Sequence, residues 1–317
     1  MKTRLFLLLI TTLSFIGFSI SAKATTVIST PSTVLFQLIV PSLKSGVKFM
    51  VEGNYLRPAN ADLTYASVFD AGENVTKNSS LVPGYSFGFK VGVGYVFKHS
   101  GNDVQINWAH FDRATSTMEP QVISAQGNTI TTAFGSTIDL GPNQTVAASS
   151  KATFKQDAVD VEIGQYLDLN TRLRARIFGG FRYAYLQNNV TDIYVRRDNV
   201  IPMNNQTIIE QLNAHFSGIG PRLGMSTHYD MGNNFGVIGQ FASALLADGS
   251  RVVSELDTKL GLDCIVPFKR GMYPMIVEAG YQGTVYIDAI QHMYPNSAVV
   301  NSNMSLSGPY VSLNMKL

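Results

Sequence analysis

In residues 84–98 every odd position is apolar or aromatic, running Tyr85, Phe87, Phe89, Val91, Val93, Tyr95 and Phe97. The even positions are Gly84, Ser86, Gly88, Lys90, Gly92, Gly94, Val96 and Lys98. A period of two sends these sets to opposite faces of one extended strand. Soluble strands are usually about 5–6 residues long. A tilted membrane strand needs ~9–11, often with extension beyond the bilayer, and this run fits the longer class.

Nine further segments repeat the pattern. Val47, Phe49, Val51 and Tyr55 oppose Lys48, Glu52 and Asn54, and Val104, Ile106 and Trp108 oppose Asp103, Gln105 and Asn107. Val159, Val161, Ile163, Leu167 and Leu169 face away from Asp160, Glu162, Tyr166 and Asp168. Leu173, Ala175, Ile177, Phe181, Tyr183 and Tyr185 face away from Arg172, Arg174, Arg176 and Arg182. Ile219, Leu223, Met225 and Tyr229 oppose Arg222, Ser226 and His228, and Phe235, Val237, Phe241 and Leu245 oppose Gly236 and Gln240. Leu256, Leu260, Leu262, Cys264, Val266 and Phe268 oppose Glu255, Asp257, Lys259 and Asp263. Tyr273, Met275, Val277, Tyr281 and Val285 oppose Glu278 and Gln282, and Val311, Leu313, Met315 and Leu317 oppose Ser312, Asn314 and Lys316.

The links discriminate further. Short ones near Ser100, Asn170, Gly232 and Arg270 alternate with mostly longer ones over 57–83, 113–150, 188–213 and 288–303. Only the link at Asp248 and Gly249 breaks the alternation. Short periplasmic turns against long external loops are the topology of outer-membrane barrels. In lipid every backbone group must find a partner inside the protein, which strands achieve only by closing, and closure also removes aggregation-prone edges. The pattern predicts an all-β fold: one closed antiparallel transmembrane barrel of about ten to twelve strands over 44–317. Segment 25–43, with Val34–Val40 bracketed by Pro31 and Pro41, reads as an extra strand, a plug or an arm.

Composition supports this picture. Charged residues are 15% of the chain, against about 25% in soluble domains. The N-terminus combines Lys2 and Arg4, an apolar run from Leu5 to Ile20, and Ala22-Lys23-Ala24. That is a signal peptide over 1–24, with cleavage expected after Ala24. A net charge of +2 without basic runs gives no reason to expect a nucleic-acid partner. Cys264 is the sole cysteine, so no internal disulfide forms. It falls on the lipid-facing side of its strand, as an inert thiol.

Candidate chemistry is sparse. Gly84-Tyr85-Ser86-Phe87-Gly88 matches the G-x-S-x-G string of a nucleophile elbow, but that motif needs a sharp turn and this one lies inside a strand. Gly218, Gly220 and Gly224 lack dinucleotide-loop spacing and share the lumen-facing parity, where they let the wall curve. His99, His110, His215, His228 and His292 have no metal-ligand spacing. No catalytic residue, cofactor or metal is expected. The constellation that stands out flanks Asn170: Asp160, Glu162 and Asp168 on one strand, Arg172, Arg174, Arg176 and Arg182 on the next. A turn centred on Asn170 pairs Asp168 with Arg172. Arginine on the lipid face costs ~2–4 kcal/mol at mid-bilayer, so the row is expected to point inward. With Arg222 and Glu278 it either sets a transverse field that selects solutes or fills a narrow barrel with ion pairs.

Several stretches resemble the Legionella-type major outer membrane proteins. They are NADLTYA (60–66), VPGYSFGFKVGVGYVF (82–97), NDVQINWAHF (102–111), DAVDVEIGQYLDL (157–169) and RLRARIFGGFRYA (172–184). FSGIGPRLGMSTHYDMGNNFGVIGQFASALL (216–246), LDTKLGLD (256–263) and GPYVSLNMKL (308–317) continue the likeness. The resemblance implies a pore-forming outer-membrane barrel in contact with lipid, passing ions or small solutes, open to homo-oligomer formation and to host surfaces. Its alternative is a surface adhesin or structural barrel acting through external loops. Two departures stand out: members can be disulfide-linked, whereas Cys264 is alone here, and the chain ends in Leu317 where such barrels usually end in an aromatic residue. Ten to twelve strands lie between filled eight-stranded barrels and open channels of sixteen, so any pore is narrow.

Overall fold

The computed structural model describes residues 39–60, 63–70, 75–116, 121–124, 129–133, 135–139, 144–198, 205–268, 273–293 and 299–317. The proposed signal peptide and residues 25–38 lie outside them. Fifteen strands are present among the described residues: β1 (Gly46–Asn60), β2 (Thr64–Asp70), β3 (Val75–Ser80), β4 (Ser86–Val96), β5 (Asn102–Ser116), β6 (Gln121–Ser124), β7 (Thr129–Thr132), β8 (Thr137–Asp139), β9 (Gln144–Asp168), β10 (Leu173–Asp198), β11 (Gln206–Gly232), β12 (Phe235–Ala247), β13 (Val252–Phe268), β14 (Tyr273–Met293) and β15 (Val299–Lys316).

Ten of them form an antiparallel ring in the order β1, β4, β5, β9, β10, β11, β12, β13, β14, β15, with β15 returning to β1. Closure is registered by Lys48 opposite Lys316 and Val51 opposite Leu313. The ten alternating segments of the sequence are these ten strands. Their apolar sets face outward: Phe49, Phe87, Trp108, Ile163, Phe181, Leu223, Phe241, Leu260, Tyr281 and Val311 are all exposed on the outer wall. Lipid rewards this arrangement, which water would not.

The connections differ from the sequence expectation at the long-strand rim. β9, β10 and β11 run 25, 26 and 27 residues, far beyond the bilayer's ~9–11. The expected loop 188–213 is therefore mostly strand, β10 continuing to Asp198 and β11 starting at Gln206. Loops 57–83 and 113–150 carry β2, β3, β6, β7 and β8, of which β3-β2-β7-β8 form a second, four-stranded sheet. Threonine, valine and isoleucine favour extended backbone there once neighbouring strands offer ladder partners.

The short-turn rim shows three devices. Between β11 and β12, Asn233 and Asn234 both take positive φ (54° and 67°), as a primed hairpin turn requires. Between β9 and β10, Asn170 Oδ1 accepts from the Arg172 and Leu173 amides (2.8 and 2.7 Å). That side-chain cap widens the turn, so Asp168 faces Arg174 and not Arg172 as the sequence suggested. Finally, residues 39–43 lie against this rim: Ile39 exchanges backbone hydrogen bonds with Asp168 (3.1 and 2.7 Å), and the His99 amide donates to Leu43. Ser86 opens β4 with no strand-to-helix turn, and at Gly220 a side chain would overlap the Leu245 carbonyl of β12.

Candidate functional site: the charged lumen

Inward-facing side chains fall into layers along the barrel. At the short-turn rim Arg174 donates from Nε and Nη2 to the two carboxylate oxygens of Asp168 (2.6 and 3.2 Å). Its side chain is 45% exposed. Arg172 is exposed at the turn itself, so it does not join the inward row expected of it. The widened turn is the reason: β10 begins only at Leu173.

Deeper in, Asp103 of β5 collects two cations from different walls. Lys48 Nζ donates to it at 3.0 Å, and Arg176 Nε at 2.9 Å. Lys48 also donates to the Tyr166 hydroxyl (2.7 Å), and Arg176 Nη1 to Glu162 (3.1 Å). Above this lies the most buried layer. Arg182 donates through Nε and Nη2 to Asp160 (2.5 and 2.7 Å) and through Nη1 to Glu255 across the lumen. Arg222, 1% exposed, reaches Glu162 (3.4 Å), Glu255 (3.2 Å) and Asp257 (2.7 Å). Each charge is desolvated, and each is compensated by paired, hydrogen-bonded partners.

The opposite wall carries a second set. Lys259 donates to Glu52 at 2.5 Å and sits over the Tyr310 ring. His228 Nε2 lies 3.1 Å from Asp263, and Asn314 donates to Glu278 at 2.9 Å. Between these walls, toward the short-turn rim, is a cavity of about 470 Å³ lined by Lys48, Lys90, Arg176, Asp263, Glu278 and others.

Toward the long-strand rim the lumen changes character. Phe154, Leu186, Phe216, Leu246, Ile290, Met304 and Leu306 are buried in one apolar cluster with Leu63, Tyr65, Val68, Ile130 and Ile138 of the second sheet's region. The lumen is therefore polar in one half and apolar in the other. A four-stranded cap lets that half exclude water as a soluble core does. The Tyr194 hydroxyl fastens the cap, donating to the Tyr65 carbonyl and accepting from the Ala133 amide (3.2 Å). Thr132 Oγ1 donates to Glu210 (2.7 Å).

Of the residues singled out from sequence, Arg176, Arg182, Arg222, Asp160 and Glu162 meet in one network. Arg174 and Asp168 form a separate rim pair, Glu278 lies on the far wall, and Arg172 stands apart. Sequence reasoning had not promoted Lys48, Glu52, Asp103, Glu255, Asp257, Lys259 or Asp263 to the site. All share the inward parity, which was the available signal. No group of metal-ligating side chains occurs among the described residues. One histidine–carboxylate pair, His110 and Asp157 (2.7 Å), lies on the outer wall beside Trp108 and Phe89.

Among solved structures the chain is similar to the outer-membrane protease OmpT of Escherichia coli, with TM-score 0.39, 8% identity, and 86% and 97% of the two chains covered. The toluene transporter TodX of P. putida gives 0.28 and 7%, covering 86% and 90%. An anion-selective porin from Comamonas acidovorans gives 0.22 and 8%, covering 85% and 99%. At these scores none carries weight for fold or function. A search of curated proteins returned no match. The family model described as Legionella pneumophila major outer membrane protein precursor matches residues 39–251 and 247–317. The ring, its lipid-facing wall and that match agree, and the chain is an outer-membrane protein belonging to this family.

Proposed function

We propose that the protein is a porin-like barrel giving ions or small hydrophilic solutes passive, gated passage through an arginine-bearing lumen. The observation that supports this is the cavity toward the short-turn, periplasmic rim, lined by Lys48, Lys90, Arg174 and Arg176. Opposed rows of fixed charge across a lumen exert a transverse field on solutes. With the apolar half packed, passage requires the external cap to lift. Export with cleavage after Ala24, contact with lipid, and no nucleic-acid, cofactor or metal partner belong to the same reading.

A second reading is favoured by the packed outer half and the long extensions of β9, β10 and β11. In it the barrel is a surface adhesin or structural protein, acting through its external part on host surfaces and assembling with copies of itself.

Purified full-length protein in a planar bilayer separates the two. Discrete conductance steps are expected of the pore. Their absence at high protein load favours the adhesin. Replacing Arg174 and Arg176 by Glu is expected to move the reversal potential toward cation preference, and an unchanged potential would sink the selectivity role of the arginines.

A further inference from the structure

The outer wall of the ring is apolar over most of its height, so the charged positions on it are informative. In the ten ring strands the charged side chains of outward parity all lie in the external half. Arg57 follows Tyr55 on β1, His110 and Asp112 follow Trp108 on β5, and Arg197 stands far out on β10. On β9 the outward parity carries Lys151, Lys155 and Asp157. The periplasmic half of the same strands has no charged residue of that parity among the described residues. Charge on the lipid face is costly at mid-bilayer and nearly free at either interface. Avoidance of hydrocarbon therefore explains why the middle is bare, but not why one interface is charged and the other is not.

The densest part of this charge is a square on β5 and β9. Asp112 faces Lys155 across the ladder, and His110 faces Asp157. His110 Nδ1 lies 2.7 Å from Asp157 Oδ1, and both side chains are 30% exposed, so solvent and lipid reach them. Neither Nε2 of that ring nor the Lys155 ammonium makes a hydrogen bond among the described residues. On the membrane side of the square, the Trp108 ring centre is 6.1 Å from that of His110 and 5.2 Å from that of Phe89. Both rings are exposed on the wall. A polar square directly outside exposed aromatic rings has the layout of a lipid headgroup meeting its acyl chains.

The two leaflets of an outer membrane differ in their headgroups. The outer one is built of a phosphorylated glucosamine lipid, the inner one of phospholipid. A phosphorylated sugar brings phosphate oxygens that accept from Lys155 and His110, and hydroxyls that donate to Asp112 and Asp157. A phosphoethanolamine headgroup also carries both signs of charge, but it belongs to the inner leaflet, where the wall is bare. We propose that the square of His110, Asp112, Lys155 and Asp157 is a headgroup site for the phosphorylated glycolipid of the outer leaflet, with acyl chains against Trp108 and Phe89. The site is on the lipid side of the wall and does not depend on solute passage through the lumen.

Trp108 is the sole tryptophan of the chain, so its emission reports on this place alone. The test is titration of the folded, detergent-solubilised full chain with bisphosphorylated lipid A, dephosphorylated lipid A and phosphatidylethanolamine. Bisphosphorylated lipid A is expected to shift the emission saturably. The other two should need about tenfold higher concentration, the scale of one lost charge-assisted contact. Lys155→Gln and His110→Gln should each raise the lipid A midpoint about fivefold. Lys98→Gln, beside a short periplasmic turn, should leave it where it was. Equal midpoints for bisphosphorylated lipid A and phosphatidylethanolamine overturn the glycolipid as occupant. No saturable shift, or a midpoint unmoved in both the Lys155 and the His110 variants, overturns the site itself. The lipid series on the unaltered chain decides the matter even where a variant does not fold.

Discussion

Gln156 Nε2 donates to the Tyr286 hydroxyl at 2.6 Å, although β9 and β14 are five strands apart in the ring of ten. The bond spans the barrel from wall to wall, at the boundary between the apolar half of the lumen and the Arg182 layer. A diameter this small is bridged by two uncharged side chains, so the ring behaves as a filled cylinder at this height.

Tyr286→Phe keeps the ring in place but strands the buried Gln156 amide, a loss of about 1–3 kcal/mol. At roughly 2–4 °C per kcal/mol for a chain of this size class, the heat-modifiability midpoint on gels should fall by several degrees. The double variant Gln156→Met/Tyr286→Phe should lose less than the sum of the singles, because neither partner is then stranded. Strict additivity would mean the bond does not form.

Arg182 offers a harsher test. Asp160, Glu255 and Asp257 all lie within ion-pair distance of its guanidinium. Arg182→Met leaves them sharing Arg222, and uncompensated buried charge costs about 3–5 kcal/mol. The variant should assemble poorly in detergent, and Arg182→Met/Asp160→Asn should recover part of the loss. A single variant as heat-resistant as the parent would show that water reaches these carboxylates.

How far the sequence discloses all this depends on the range of each interaction. Phe87 and Lys90 declare their faces through their immediate neighbours, because lipid on one side enforces a strict period of two. Arg182 and Glu255 share the inward parity, but they are 73 residues apart and on strands β10 and β13. Only the closed ring decides that they meet. Asp168 was assigned to Arg172 because turn length depends on whether Asn170 caps Arg172 and Leu173, a choice of side-chain rotamer that patterning does not carry. The cap was read as loop for a related reason. Thr64–Asp70 and Thr129–Thr132 become strands by pairing with each other, and their local composition favours strand and turn alike.

A pH dependence is expected at the external extension, beyond the membrane wall. Burial raises the Asp192 carboxyl to about 6, with the Glu210 charge adding to the rise against a hydrogen bond from Ser150. Ser150 of β9 and Glu210 of β11 are its cross-strand neighbours, Tyr194 adjoins it on β10, and Thr132 of the cap holds Glu210. A carboxyl whose folded pKa exceeds its unfolded value of 3.8 stabilises the extension fully below 3.8. That contribution is lost as pH rises through about 6. Amide exchange over β10 beyond Gln187 should therefore be slower at pH 5 than at pH 7.5 after correction for intrinsic rates, and Asp192→Asn should abolish the difference. A pH-independent protection factor in the parent would contradict the assignment.

The cap should also govern opening. Tyr194 is fully buried and joins three parts through one hydroxyl: its own strand β10, the Tyr65 carbonyl of β2 and the Ala133 amide after β7. Tyr194→Phe retains the ring's packing and removes both hydrogen bonds, so the apolar contact survives while its anchorage weakens. Removing the anchorage shifts the equilibrium between closed and lifted cap by on the order of 1–2 kcal/mol. That corresponds to a factor of about 5–30 in the open-to-closed ratio. In single-channel records the variant should spend correspondingly more time open at unchanged unit conductance, because the inward-facing groups below the cap, from the Gln156–Tyr286 bridge to the Arg182 and Arg222 layers, are untouched. An increase in unit conductance with unaltered open time would instead put the constriction in the cap itself. Unaltered records on both counts would mean that solutes do not pass beneath the cap at all.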